Sequence, residues 1–389
     1  MNRLKSVKGP LYWKFYAPFM QWCVWLFHYL PVNRHKVVLM HDSGEAYGDS
    51  PKYIAEELLR RTTKYKLVWM AKDSAIQAPL PILTVRFNRI SAAFHLATAK
   101  IIITTQKARC PLRKKQSQFF LYVPHGQIGA KFVERQAGNA LGSSYIESSK
   151  WHSAQCNLFL SSSKLFTEEM HTWYWYDGEI WESGLPRNDI FFNYTPEDVS
   201  WIKAKVGVPD DVKIAFYAPT FRDNGNERAY ALDTERLLHT LEQKTGERWL
   251  LMIRLHPNFV WFKVPAFTYS DRVLNMTHYP DMQELLLISD ILISDYSSTM
   301  FDFNLMHRPV FLFTQDVEDY QKMRGLKDWF FKVPFPFCHN NDELCQAVLD
   351  YDEQSYQSRC EEFDKLYGSM EDGKATPRIV DKLEQIMNS

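Results

Sequence analysis

Neither sign of charge is in excess in this chain, where 46 lysine and arginine residues cancel 46 aspartate and glutamate residues. Nucleic-acid binders usually carry a strong basic surplus, so no nucleic-acid partner is expected. Cysteine is sparse: six residues, at positions 23, 110, 156, 338, 345 and 360, with no CxxC pair. Scattered thiols suit a reducing compartment rather than a disulfide frame or a zinc site. Also missing are the GxxxxGK[ST] loop and the GxGxxG fingerprint, which disfavours a nucleoside triphosphatase or a dinucleotide enzyme. There is no repeat, low-complexity tract or long linker. The only DxD, Asp350-Tyr351-Asp352, lies in polar helical sequence far from the candidate site. No tightly bound metal or cofactor is expected.

What is present begins with length and aromatics. At 389 residues and 46% apolar the chain is globular and long enough for two domains. Aromatic residues make up 15%, with 12 tryptophans. Many crowd the N-terminus, where a basic start (Arg3, Lys5, Lys8) precedes an aromatic run from Leu11 to Leu30. Lys14, Pro18, Gln21 and His28 interrupt that run, against a spanning helix. It also lacks a small-residue cleavage site. Tryptophan, tyrosine and lysine favour the headgroup layer, so residues 1–35 read as a membrane-associating segment. A helix packed on the protein's own body is the plainer alternative. The expected location is peripheral, on the cytoplasmic face of a bacterial membrane.

From residue 36 short apolar runs alternate with helical patterns. Lys36–His41, Tyr65–Ala71, Ala99–Thr105, Phe119–Pro124 and Cys156–Leu160 read as buried strands, with a helix over Pro51–Arg61. The pattern restarts with a helix at Pro196–Val206 and strands at Lys213–Tyr217, Trp249–Arg254, Asp290–Ser294 and Pro309–Phe313. Sequence from Asn341 is helical. Continuous apolar strands separated by helices indicate parallel sheets covered on both faces. The expectation is an α/β, GT-B-like fold: Rossmann-like doubly wound domains over 36–195 and 196–389, facing each other across a cleft.

Four constellations follow strands, where open α/β sheets present ligand-binding groups. Pro124-His125-Gly126 puts a histidine, the usual base near neutral pH, beside a turn that allows close approach; a structural histidine is equally compatible. In Ala218-Pro219-Thr220-Phe221-Arg222-Asp223, Thr220 and Arg222 could hold phosphate oxygens, or Arg222 and Asp223 could form a surface ion pair. In Arg254-Leu255-His256 the two-residue repeat of a strand places Arg254 and His256 on one side, as an anion clamp requires. Ser297 and Ser298 open a helix, whose free N–H groups attract phosphate; a plain serine N-cap is the commoner use.

Together with Gly184-Leu185-Pro186-Arg187-Asn188-Asp189, Ser294–Asp302, Asp319–Gly325 and Glu371–Ala375, these motifs resemble the CDP-glycerol glycerophosphotransferase family, the teichoic-acid primases and polymerases. The resemblance runs from about residue 100 to the end. It implies a monotopic GT-B enzyme in which His125 is the catalytic base and His256 sits at the donor pyrophosphate. It further implies that Pro124, Gly126, Gln127, Ile128, Arg187, Pro219, Thr220, Arg254, Leu255, Ser297, Ser298 and Asp302 line the donor site. The family often has Thr-Pro after His-Gly, then lysines. Here the sequence is Gln127-Ile128-Gly129-Ala130-Lys131, which bears on acceptor or polyol identity. The implied reaction moves glycerol phosphate, or a related polyol phosphate, from CDP-glycerol to a lipid-linked glycan or polymer, with release of CMP. The alternatives are a GT-B nucleotide-sugar glycosyltransferase and a non-catalytic envelope-assembly scaffold.

Overall fold

The computed structural model describes residues 17–41, 44–87, 89–106, 113–138, 141–222, 226–256 and 267–389. The basic start Arg3, Lys5 and Lys8 and the residues Cys110 and Asp223 lie outside them. The first sheet contains β1 (Asn33–Met40), β2 (Lys66–Ala71), β3 (Leu83–Arg86), β4 (Ala99–Thr104), β5 (Phe119–Tyr122), β6 (Leu158–Ser161) and β7 (Glu179–Glu182). Its order is β3-β2-β1-β4-β5-β6-β7, and every pairing is parallel. The second sheet contains β8 (Lys213–Tyr217), β9 (Trp249–Ile253), β10 (Val273–Asn275), β11 (Ile291–Ser294), β12 (Val310–Phe313) and β13 (Phe337–Cys338). Its order is β10-β9-β8-β11-β12-β13, again all parallel. Central strands such as β4 and β8 are buried nearly throughout, as strands covered on both faces must be.

The expected boundary near residue 195 falls between β7 and β8. The C-terminal domain expected over 196–389, however, gives its last helix back to the first. Helix Ala375–Asn388 buries Ile379, Val380, Leu383 and Met387 against Val37, Ile101 and Leu121. Arg61 ties it down through Asp381 (2.5 Å) and Glu384 (2.9 Å). An amphipathic pattern does not say which sheet a helix covers, so the return was not readable from sequence. The two domains also share one hydrophobic core, in which Phe159 and Phe166 of the first join Phe216, Leu292 and Phe301 of the second.

The aromatic N-terminal segment forms a helix, Ala17–Leu26, and a 3-10 turn, Phe27–Tyr29. Cys23 and Val24 are buried with Ala92, Ala93 and Leu96 of helix Ile90–Thr98. The segment is therefore partly packed on the body, but Phe19, Trp22, Trp25 and Tyr29 are exposed. Among the described residues no helix is long and apolar enough to cross a membrane.

Candidate active site

The C-terminal ends of the two sheets enclose a cleft of about 360 Å³. On the first-domain side Pro124 follows β5, where the missing N–H ends the ladder, and His125 comes next. His125 is exposed while Val123, Pro124, Gly126 and Gln127 around it are buried. Its Nδ1 lies 3.4 Å from the carbonyl oxygen of Thr105 at the end of β4. Donation from Nδ1 to that carbonyl leaves Nε2 with the lone pair a base needs.

Behind His125 lies a buried ionic hub. Arg187, on the 3-10 turn Pro186–Asp189, donates from Nη1 to the His125 carbonyl at 2.6 Å. It pairs with Asp49 at 3.3 Å and, more closely, with Asp302 of the second domain. Asp302 also accepts from Gln127 Nε2 (3.0 Å), Asn188 Nδ2 (3.3 Å) and Gln283 Nε2 (3.3 Å). Burial pushes the Asp302 carboxyl up, and Arg187 only partly offsets it. Burial acts on Asp49 as well, but there Arg187 and His41 outweigh it and hold the carboxyl below its ordinary value. Glu371 completes the layer. It accepts from Asn188 Nδ2 (2.8 Å) and the Leu185 N–H (3.1 Å), and burial pushes it up to about 8.

The opposite wall comes from the second domain. After β8, Thr220 reaches the cleft, with its N–H (2.9 Å) and hydroxyl (2.6 Å) both donating to Asp295. Arg222 does not serve the phosphate role considered for it. Its side chain is fully buried between Asp295 (2.8 Å) and Asp316 (2.7 Å), and also donates to the Thr220 carbonyl. A guanidinium so occupied braces the turn rather than meeting a ligand. Past the end of β9, Arg254 and His256 both line the cleft, and Leu255 lines it as well, though nearly buried, so the loop after the strand rather than strand alternation brings them there. Arg254 is half-buried, and its Nη1 lies 3.1 Å from Met282 Sδ. Among the described residues it forms no ion pair. Burial lowers its pKa to about 10, with Asp281 and Tyr279 only partly compensating. A desolvated, unpaired guanidinium is a site for an anion.

At the switch point between β8 and β11, Ser297 and Ser298 lead into the short helix Thr299–Asn304. Ser298 occupies the N-cap position but makes no side-chain capping bond. Ser297 Oγ instead lies 2.8 Å from Thr299 Oγ1. Pro219, Ser297, Ser298 and Asp302 all line the cleft. Ile128, expected in the donor site, does not: its side chain is fully buried in the shared core, where an apolar residue is best satisfied. Sequence reasoning did not reach Asp49, His41, Gln283 or Met282, which meet the site only through tertiary packing. Glu371 was visible only as part of a motif.

The sequence profile described as CDP-Glycerol:Poly(glycerophosphate) glycerophosphotransferase matches residues 23–385. The chain is 28% identical over 372 residues to a teichoic acid poly(glycerol phosphate) polymerase of Staphylococcus epidermidis, covering 91% of this chain and 51% of that protein. It is 27% identical over 369 residues to a teichoic acid glycerol-phosphate transferase of Staphylococcus aureus, covering 89% and 92%. The chain thus spans about half the length of the longer polymerases it matches. Among solved structures, the wall teichoic acid polymerase TagF superposes with a TM-score of 0.83 at 25% identity, covering 99% of this chain and 96% of that one. A TagF variant soaked with CDPG has the same fold, with a TM-score of 0.83 at 24% identity, covering 100% and 99%.

Proposed function

The chain belongs to the CDP-glycerol:poly(glycerophosphate) glycerophosphotransferase family, and from that premise we propose that it transfers glycerol phosphate, or a related polyol phosphate, from CDP-glycerol to a lipid-linked glycan or polymer acceptor. The observation that carries this reading is the pairing across one cleft of His125 from the first domain with Arg254 and His256 from the second. The soak of a TagF variant with CDPG supports the choice of donor.

In this reading an acceptor hydroxyl oxygen bonds to the phosphorus that carries the glycerol. The bond from that phosphorus to the bridging oxygen breaks, and CMP departs with the electron pair. CMP is a good leaving anion and needs no proton, so the demands are a base on the hydroxyl and positive potential on the pyrophosphate. His125 Nε2 takes the hydroxyl proton. Arg254 and His256 stabilise the phosphate charge, the main protein contribution to phosphoryl transfer. Arg187 holds the His125 carbonyl and so aims the base. The exposed face of Phe19, Trp22, Trp25 and Tyr29 would rest on the cytoplasmic surface of the membrane that carries the acceptor.

The test is CMP release by purified protein given CDP-glycerol or CDP-ribitol with a lipid-linked glycan acceptor. Acceptor-dependent CMP, lost about 10²–10⁴-fold in His125→Ala, is the expected result and names the polyol. No CMP from either donor, with the protein folded, would return the weight to nucleotide-sugar transfer or a scaffold.

A further inference from the structure

The carboxylate that acts on Arg254, Asp281, is held from the other side of the domain interface. The contact of Arg254, Met282, follows Asp281, a carboxylate that acts on the guanidinium and could have captured it, and a second carboxylate, Glu284, stands two residues further on. Every oxygen of both is already engaged. Asp281 Oδ2 accepts from Lys52 Nζ at 2.6 Å and from the Tyr53 hydroxyl at 3.3 Å, while its Oδ1 accepts from the Gln283 N–H at 3.0 Å. Glu284 Oε1 accepts from the same Lys52 Nζ at 3.0 Å, and its Oε2 from Lys205 Nζ at 2.8 Å and from the Tyr279 hydroxyl.

Lys52 and Tyr53 belong to helix Asp49–Arg61 of the first domain, whereas the carboxylates and Arg254 belong to the second. The ammonium groups of Lys52 and Lys205 neutralise Asp281 and Glu284, so this cluster closes its charge without Arg254. Burial, with Asp281 and Glu284 adding, pushes the nearby Glu56 carboxyl toward its neutral form, although Lys52 opposes this. Asp281 is nonetheless close enough to act on Arg254 electrostatically. It is buried, and a buried carboxylate that loses its counter-ion seeks another.

We propose that Lys52 is a positioning residue for the donor: by holding Asp281 from across the interface, it keeps the Arg254 guanidinium free for the pyrophosphate. The inference rests on the reading of the cleft as a nucleoside-diphosphate donor site. Without Lys52, Asp281 turns to Arg254, and the donor must compete with an internal carboxylate for the same cation. Lys52 touches no substrate and acts only through the two residues beyond it.

The experiment is calorimetric binding of CDP to the full chain, with donor KM and kcat measured beside it. Lys52→Met should weaken CDP binding and raise donor KM about tenfold, with kcat little changed, and Lys52→Arg should restore both. Adding Asp281→Asn to Lys52→Met removes the competing charge while keeping an acceptor for the Gln283 N–H, and should recover most of the loss. Wild-type affinity in Lys52→Met, or a double variant as weak as the single one, would overturn the proposal. Should Lys52→Met not fold, Asp281→Asn alone carries the test: it should bind CDP at least as tightly as wild type, and weaker binding overturns the idea. A wild-type protein that fails to bind CDP overturns the donor reading itself, and this proposal with it.

Discussion

Gly126 and Ser298 face each other across the two domains so closely that a Cβ at position 126 would lie 2.4 Å from Ser298 Oγ and 3.3 Å from Ser298 Cβ. The glycine is required here by the approach of a neighbour rather than by a left-handed backbone. A side chain at 126 must displace the Ser298 hydroxyl from its place and crowd the Ser298 Cβ. Gly126→Ala should therefore fold and lose about 10²-fold in transfer rate, the scale on which displacements near 1 Å act. Removing the facing hydroxyl in Gly126→Ala/Ser298→Ala should recover activity relative to Gly126→Ala. Steady-state CMP release checks both, and an active Gly126→Ala would refute the steric account.

Arg187 offers a stability test that is separate from catalysis. Its removal leaves Asp49 and Asp302 buried without their shared cation, a situation that typically costs about 3–5 kcal/mol. Arg187→Met should lower the unfolding free energy by that order in urea titrations. Arg187→Met/Asp302→Asn should be less destabilised, because one orphaned charge is gone. The double variant should still be slow, since neither change restores the contact to the His125 carbonyl. Equal stability of the two variants would mean that Asp302 ionisation is not what Arg187 compensates.

How much of this was legible beforehand follows from burial. The strands read from sequence are the central ones: β1, β2, β4, β5 and β6 in the first sheet, β8, β9, β11 and β12 in the second. The four not read, β3, β7, β10 and β13, are the edges of the two sheets. An edge strand such as β7, Glu179-Ile180-Trp181-Glu182, has exposed or half-buried residues throughout and lacks the continuous apolar run that marks a strand covered on both faces. The cleft residues were legible where chemistry sits directly after a central strand, as with His125, Arg254, His256 and Ser297. Asp49 and Gln283 were not, because they join the site from helices whose docking no local pattern encodes. Arg222 shows the opposite error: a cation placed after a strand looks like a ligand group until Asp316, far along the chain, is seen to hold it.

The aromatic face of the N-terminal helix predicts a membrane phenotype. Trp22 and Trp25 are 53% and 38% exposed while Cys23 and Val24 between them are buried, so the tryptophans can be changed without opening the core. Burying a large apolar side chain contributes about 1.5–3 kcal/mol. Trp22→Ser/Trp25→Ser should thus weaken sedimentation with anionic lipid vesicles by about tenfold or more, with CDP binding and thermal stability unchanged. Vesicle binding at the wild-type level would assign that face to something other than lipid.

Glu371 predicts the sign of a pH dependence. Burial raises its carboxyl from the ordinary 4.5 to about 8 in the folded protein. Below pH 4.5 both the folded and unfolded chains hold the proton, and this group adds no slope. Between about 4.5 and 8 the unfolded chain has lost the proton while the folded one keeps it. Stability from this residue is therefore full at the acid end and declines as pH rises, by up to about 1.4 kcal/mol per pH unit. Above about pH 8 the decline stops, leaving a carboxylate buried among Asn188, the Leu185 N–H and the Asp302 charge. Glu371→Gln cannot ionise and keeps an acceptor oxygen for Asn188 and Leu185. Its unfolding free energy, measured by urea titration from pH 5 to pH 9, should overtake that of wild type as pH rises and stay above it at pH 8. Parallel curves for the two proteins would show that Glu371 is ionised throughout. The hub beneath His125 would then hold one more negative charge around its single buried cation, Arg187.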